Sequence, residues 1–147
     1  MKPNKEIDNE ALAESFGFLF GKATQKTVEA CQLELSRLSL NTREIGLLKT
    51  IKHYSPITQK QAGKLLRVDR TTMVALVDSL ESRNYLSRSI DAKDRRNNNL
   101  VLTKEGEQAL EKGWTTVQRG ETAALKMLSK TEKETLSMLL NKILGSE

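Results

Sequence analysis

The sequence predicts a mainly α-helical domain that carries one short β-hairpin. Capping residues followed by apolar stripes at helical spacing recur along most of the chain, whereas β-prone runs occur only on either side of residues 91–99. The length of 147 residues suits one domain with a modest core and is too short for two independent domains.

The first predicted helix covers residues 8–37 and is long for so small a core. At roughly 1.5 Å per residue it would extend about 45 Å, which is more than the rest of the chain can cover. We therefore expect part of its apolar surface to contact another chain. One uninterrupted stripe runs along it: Leu12, Phe16, Leu19, Phe20 and Ala23.

The next two helices each begin at a capping box. Asn41 is paired with Glu44 at the start of the second helix, which ends before Pro56. Thr58 is paired with Gln61 at the start of the third. Both pairs have the spacing that satisfies the free N–H groups of a first helical turn.

A break of three residues, R-V-D at 67–69, separates the third helix from a fourth that Asp69 caps. Two helices joined by so tight a turn predict a helix-turn-helix, whose second helix enters the major groove of DNA. An ordinary surface helix is the alternative. The inner face comprises Met73, Leu76, Val77 and Leu80, and the 3.6-residue period turns Thr71, Val74, Ala75 and Asp78 outward.

A charged hairpin follows. The β-prone runs L-S-R-S-I and L-V-L flank D-A-K-D-R-R-N-N-N, which offers no apolar anchor to a core. A basic hairpin directly after a helix-turn-helix is a wing, able to lie along phosphates and insert an arginine into the minor groove. Asp94 is spaced to hold the Arg96 guanidinium extended. A metal site at Asp91 and Asp94 is disfavoured, because basic neighbours would compete with the cation.

Two further helices complete the chain. T-K-E-G at 103–106 begins the fifth, and Ser129 with Glu132 forms a capping box for the sixth, which ends at Gly145. The sixth helix has an apolar stripe of its own: Leu136, Leu139, Leu140, Ile143 and Leu144.

Charge is distributed unevenly along the chain. Residues 58–104 contain ten of the 24 lysines and arginines but only five of the 19 acidic residues, and the remainder holds 14 of each. The net charge of +5 therefore lies in the helix-turn-helix and hairpin. An excess placed there predicts an anionic partner.

The sequence also indicates a compartment. A single cysteine, Cys31, excludes an internal disulfide and fits a reducing environment. The N-terminal residues lack the apolar run of a secretion signal, and no run approaches the roughly 18 residues of a membrane span. We expect a cytoplasmic protein without membrane contact, and an inert thiol at Cys31 rather than a redox sensor.

These features together resemble the MarR family of winged helix-turn-helix transcription regulators. The resemblance is carried by D-A-K-D-R-R-N-N-N-L-V-L-T-K-E-G at 91–106, by V-D-R-T-T-M-V-A-L-V-D-S-L-E-S-R-N-Y-L at 68–86 and by L-N-T-R-E-I-G-L-L at 40–48. Asn84 replaces the glycine usual before the wing. The asparagines at 97–99 replace more apolar residues, which predicts a short second strand.

The resemblance implies how such a protein would work. Arg96 would be the minor-groove arginine, Asp94 its orienter, and the helix after Asp69 the groove reader. The first, fifth and sixth helices would form a homodimer that binds a pseudo-palindromic operator. The expected arrangement is a DNA-binding lobe at about 40–104 and a helical dimerisation region at about 6–38 and 104–146.

We therefore predict a homodimeric, sequence-specific regulator of transcription, most simply a repressor that occludes a promoter. A winged helix that binds protein instead of DNA, and a protein that sequesters a small molecule, remain open as alternatives. The predicted DNA-binding residues are Thr58, Gln59, Lys60, Lys64, Arg67, Arg70, Thr71, Thr72, Ala75, Arg88, Lys93, Asp94, Arg95 and Arg96.

A small aromatic acid is a candidate effector, with a pocket predicted around Phe16, Phe20, His53 and Trp114; dimer core is the alternative for the aromatic residues. We predict no enzymatic activity, metal or cofactor. The sequence has no nucleophile elbow, no phosphate-binding glycine loop and too few histidines and cysteines for a zinc site.

Overall fold

The computed structural model describes residues 14–90 and 98–145. Two compact units are present, one of residues 32–119 and one formed by the described residues up to Cys31 together with those from Gly120. The elements are α1 (Phe16–Arg37), α2 (Thr42–Tyr54), β1 (Ile57–Thr58), α3 (Gln59–Leu66), α4 (Arg70–Ser82), β2 (Leu86–Ile90), β3 (Asn98–Leu102), α5 (Lys104–Ala124) and α6 (Lys130–Leu144).

Local side-chain chemistry sets the helix ends, as predicted. Complete capping boxes begin α2 at Asn41, α3 at Thr58 and α6 at Ser129. In each box the capping side chain accepts a hydrogen bond from the third helical N–H, and the side chain at that third position accepts one from the cap backbone. At the other end of α6, Gly145 adopts the left-handed conformation with φ 72°.

The core of the unit 32–119 is built from the inner faces of α2 and α4, which contact β3 and β2 respectively. Its fully buried side chains include Ile45, Leu47, Leu48, Ile51, Val77, Leu80, Leu86 and Leu100. The predicted inner face of α4 is confirmed, since Met73, Leu76, Val77 and Leu80 are all buried. Asn84 ends this helix region with a φ of 59°, the left-handed conformation expected of it.

The sheet has three antiparallel strands in the order β1-β3-β2, not the two expected of a simple hairpin. Ile57 pairs with Leu100 and Thr58 with Asn99, so β1 caps the free edge of β3. The prediction of a short second strand is wrong. β3 begins at Asn98 and is as long as β2, because strand pairing uses backbone groups that any side chain leaves available: Asn98 pairs with Ile90, and Asn99 pairs with both Ser89 and Thr58.

One glycine brings α5 against the root of the hairpin. A Cβ at Gly106 would lie 1.7 Å from the carbonyl oxygen of Tyr85. The same carbonyl accepts a hydrogen bond from the backbone N–H of Thr103 at 3.2 Å, and the Thr103 hydroxyl donates to the Asn84 carbonyl at 2.5 Å. The start of α5 is therefore tied to the residues between α4 and β2.

In the other unit, many apolar side chains of the described helices are exposed. No residue of α6 is buried, and exposure reaches 66% at Ile143. On α1, Phe16 and Leu19 are also exposed. None of the helices in the described residues 14–90 and 98–145 is long and apolar enough to span a membrane.

Cys31 lies where α1 meets the C-terminal part of α5. A Cβ added at Gly120 would be 2.6 Å from the Cβ of Cys31, and the thiol contacts the carbonyl oxygens of Thr27 and Val28 at 3.5 and 3.3 Å. Burial raises the pKa of the thiol, and the nearby Glu121 carboxylate raises it further. Both effects favour the unreactive thiol over the thiolate.

Candidate nucleic-acid interface

The turn between α3 and α4 is closed by backbone and side-chain caps. Arg67 ends α3 in the left-handed conformation, with φ 51° and ψ 42°, and the backbone N–H of Val68 donates to the Gly63 carbonyl at 3.0 Å. Asp69 then caps α4. The sequence R-V-D therefore turns the chain within three residues and fixes the orientation of α4 relative to α3.

Asp69 is held by Thr72. Its carboxylate accepts hydrogen bonds from the Thr72 hydroxyl at 2.6 Å and from the Thr72 backbone N–H at 2.9 Å. These two bonds lower the pKa of Asp69, so the carboxylate stays charged at neutral pH. The only proton of the Thr72 hydroxyl is used in this cap, which leaves that side chain as an acceptor toward any other partner.

The outer face of α4 has small side chains, as the period predicts. Arg70, Thr71 and Ala75 are exposed, Val74 is 38% exposed, and Asp78 is exposed one turn further on. A face without bulky groups lets a helix backbone approach the floor of a groove closely. The residues predicted to read bases therefore share one accessible surface, apart from Thr72, which is half-buried in the cap.

An open groove of about 630 Å³ lies beside the helix-turn-helix. Four cations and one carboxylate line it, which makes it strongly electropositive. We name it the basic groove, and its charged lining residues are Lys60, Lys64, Arg67, Arg70 and Asp69, with Thr58, Gln59, Gly63, Val68, Met73 and Asn98 completing the wall.

The basic groove brings together residues that the sequence singled out separately. Six of the predicted DNA-binding residues line it: Thr58, Gln59, Lys60, Lys64, Arg67 and Arg70. The Thr58 hydroxyl is occupied in its capping box with Gln61, at 3.0 Å from the amide oxygen. Sequence reasoning missed Asn98, which reaches the groove from β3; the run of three asparagines was the available signal.

Arg88 differs from the other predicted phosphate contacts. It lies in β2, and its guanidinium forms ion pairs with Asp78 and Glu81 of α4. Only 27% of its side chain is exposed. This residue is therefore engaged within the chain, whereas Lys60, Lys64, Arg67 and Arg70 are exposed.

A second arginine anchors the C-terminal end of α4. Arg83 forms an ion pair with the buried carboxylate of Glu44 and donates to the Ser39 carbonyl. The Ser79 hydroxyl donates to the same Glu44 carboxylate at 3.1 Å. Since Glu44 also caps α2, this polar network links the start of α2 to the end of α4.

The predicted tip of the wing lies outside the described residues. Lys93, Asp94, Arg95 and Arg96 belong to it. The stem of the hairpin is described: β2 and β3 pair from Leu86 with Leu102 to Ile90 with Asn98.

The residues of the predicted effector pocket are divided between the two units. Phe16 and Phe20 are exposed and stand 6.3 Å apart between ring centroids in one unit. In the other unit His53 is exposed with its ring against Tyr54. Trp114 lines an open cavity of about 480 Å³ there, and the Lys49 ammonium lies 4.2 Å from its ring centroid.

Comparison with known proteins agrees with this architecture. The sequence model of the MarR family matches residues 40–97, which include the helix-turn-helix and the first hairpin strand, β2. A probable transcriptional regulator from Pseudomonas aeruginosa has a similar crystal structure, with a TM-score of 0.81 and 28% identity over 90% of this chain and 98% of that one. Residues 40–97 therefore belong to a MarR-type winged helix-turn-helix. The predicted mainly α-helical, winged helix-turn-helix fold is thereby confirmed.

Two other MarR-type proteins illustrate the range of similarity. An uncharacterized HTH-type transcriptional regulator of Bacillus subtilis, YwaE, is 26% identical over 109 residues, and the match covers 74% of this chain and 64% of that protein. A cysteine-to-serine variant of Escherichia coli MarR complexed with operator DNA has a TM-score of 0.81 and 27% identity, over 95% of this chain and 99% of that one. These relatives belong to a family of transcriptional regulators, not of enzymes.

Proposed function

We propose that this protein binds double-stranded DNA as a homodimer and represses transcription by occupying a pseudo-palindromic operator in the cytoplasm. The observation that carries the proposal is the placing of Lys60, Lys64, Arg67 and Arg70 around one open groove beside the small-residue face of α4. Such a surface matches a phosphate backbone that flanks a major groove.

The roles divide by position. Lys60, Lys64 and Arg67 lie on α3 and the turn, where they can neutralise phosphates without regard to sequence. Arg70, Thr71 and Ala75 lie on the exposed face of α4, where a guanidinium, a hydroxyl and a methyl group can distinguish base edges. We assign the wing-tip residues Lys93, Asp94, Arg95 and Arg96 to the adjacent minor groove.

The dimer is part of the same proposal. The exposed apolar stripe of α6 needs a cover, and a second copy supplies an identical stripe under two-fold symmetry. Two copies would also place two α4 helices for two half-sites about 34 Å apart. The E. coli MarR variant of similar fold was solved in complex with operator DNA, which supports the DNA-binding part of the proposal.

Binding is tested by selecting duplexes from a random pool and measuring affinity at several salt concentrations. Arg70→Ala should cost about 1–3 kcal/mol and relax the choice of the contacted base. Lys64→Ala should weaken specific and non-specific duplexes alike and lower the salt exponent by about 0.9. Lys112→Ala is the matched control, because this exposed lysine of α5 does not line the basic groove. Wild-type protein that binds no duplex in dilute buffer would refute the proposal.

We also propose that an aromatic acid regulates binding from the cavity at Trp114. Three lysines, Lys49, Lys52 and Lys104, line this cavity and could pair with a carboxylate, although Glu107 and Glu111 offset part of their charge. Trp114 is the single tryptophan of the chain, so its fluorescence reports occupancy directly. Salicylate should quench it and weaken operator binding, and Lys49→Ala should reduce both effects. Loss of DNA binding without any fluorescence change would place the ligand elsewhere.

A further inference from the structure

Arg88 connects the hairpin to the reading helix. Its two terminal nitrogens pair with the carboxylates of Asp78 and Glu81, one nitrogen to each. Those two acids are three residues apart, so they project from the same side of α4. A planar guanidinium can bridge such a pair, whereas a lysine ammonium offers only a single point charge.

Strand pairing also fixes the backbone position of Arg88. Arg88 pairs with Leu100 across the sheet, and Leu100 is fully buried. Directly opposed residues of an antiparallel pair share a face, and so do residues two apart in a strand. Arg88 therefore projects from the same face as buried Leu86 and Leu100, toward α4 and away from open solvent.

The paired acids lie where DNA would approach. Asp78 follows exposed Ala75 by three residues and exposed Thr71 by seven, so all three lie on the outer face of α4. The outer face of α4, which we propose contacts DNA, therefore ends in a carboxylate that repels phosphate. A guanidinium shared with Asp78 and Glu81 neutralises part of this charge and at the same time fixes the strand.

We propose that Arg88 is a positioning residue for DNA recognition and not a phosphate contact. Acting through Asp78 and Glu81, it locks the hairpin stem to α4, so that wing and reading helix meet the duplex in one preset arrangement. This inference rests on the proposed DNA binding. It replaces the role that residue type alone predicted for Arg88.

The first experiment needs no DNA. Arg88→Lys keeps the charge but cannot bridge both acids, and the double variant Asp78→Asn with Glu81→Gln removes both partners. In each variant, amide hydrogen exchange in β2 and β3 should accelerate at least about threefold, with α2 unchanged. Unchanged exchange in the hairpin stem in both variants overturns the proposal, whether or not the protein binds DNA.

The second experiment measures affinity for a selected duplex and for a random one. Arg88→Lys should lose about tenfold on the selected duplex and stay within about twofold on the random one, because charge is retained while geometry is not. Removing two carboxylates favours every duplex alike, so the double acid variant should lose a similar factor in the ratio of selected to random affinity, and adding Arg88→Lys to it should lower this ratio no further. These ion pairs are partly exposed, so all variants should fold.

Two results would overturn the positioning role. One is wild-type affinity of Arg88→Lys for the selected duplex, as a simple phosphate contact predicts. The other is a double acid variant that keeps the wild-type ratio of affinities for the selected and the random duplex. A third result separates the two proposals: if the wild-type protein binds no duplex but exchange in β2 and β3 accelerates in the variants, the proposed function fails while the contact between hairpin stem and α4 is supported.

Discussion

The apolar stripes of α4 and α6 follow the same helical spacing but differ completely in burial. On α4, Val77 and Leu80 are fully buried, whereas on α6 Ile143 and Leu144 are 66% and 57% exposed. Periodicity therefore identifies which face of a helix needs a partner, but it does not say whether that partner belongs to the same chain. The helix-turn-helix unit finds its partner within the chain. We infer that the other unit requires a second copy.

The largest predicted effect breaks the proposed dimer. Ile143→Asp places a charge in the exposed stripe of α6, and burying it unpaired should weaken dimerisation by about 3–5 kcal/mol. Sedimentation equilibrium should then show monomers at micromolar concentration, and operator affinity should fall with it. Asn141→Asp adds the same charge to α6 away from the stripe and should leave the dimer intact. A fully dimeric Ile143→Asp protein would contradict this use of α6.

One truncation in each apolar stripe tests whether α4 and α6 are stabilised in different ways. Leu80→Ala removes a fully buried side chain of α4 and should lower the free energy of unfolding by about 2–5 kcal/mol. Leu144→Ala should act chiefly through subunit association, so its effect on thermal unfolding should depend on protein concentration relative to wild type. If melting temperatures shift equally at every concentration in both variants, the two stripes are not different in kind.

A third effect concerns close approach within the helix-turn-helix unit. Gly106→Ala puts a methyl group against the Tyr85 carbonyl, a backbone atom that cannot rotate away. We expect a loss of about 1–3 kcal/mol in unfolding free energy by denaturant titration. Gly46→Ala is the control, since the atom nearest to its added Cβ would be a Leu66 methyl at 3.9 Å, and it should be neutral or stabilising by about 0.5–1 kcal/mol. Equal stability of the two variants would contradict the assigned contact.

Helix positions were predictable because their signals are local. Asn41 with Glu44 and Ser129 with Glu132 act within four residues, and the structure confirms the helix starts they predict. The strand β1 was not predictable in this way. Its two residues have no period of their own and become a strand only because Leu100 and Asn99, far along the chain, pair with them.

Prediction of the DNA-binding site from sequence has the same limit, because it misses contacts between residues far apart in the chain. The groove cations were recognisable by type and by their place in a helix-turn-helix, but the occupation of Arg88 by Asp78 and Glu81 depends on how β2 packs against α4. Composition cannot distinguish a cation that awaits phosphate from one already paired. For the same reason the half-buried position of Thr72, whose proton is used by Asp69, was not apparent from the outward face of the helix.

The smallest predicted effect compares one capping carboxylate from each unit. Hydrogen bonds lower the pKa of Asp69 at the start of α4 and of Glu132 at the start of α6, through Thr72 and Ser129 respectively. A lowered folded-state pKa means that the unfolded chain binds more protons in acid. Both carboxylates therefore stabilise the fold at neutral pH, and this contribution is lost as pH falls below about 4 through the folded-state pKa values.

Asp69→Asn and Glu132→Gln keep a capping acceptor but do not titrate. In each variant the melting temperature should fall less steeply than that of the wild type between about pH 4 and pH 2. Carboxyl carbon shifts followed by NMR give the two pKa values directly. Titration midpoints at or above the ordinary values of about 3.9 for aspartate and 4.3 for glutamate would contradict the claim that the capping hydrogen bonds lower these pKa values. Glu132 begins α6, whose apolar stripe we assign to the dimer. The pH dependence of the melting temperature that is due to Glu132 should therefore become steeper at high protein concentration, whereas the part that is due to Asp69 should not.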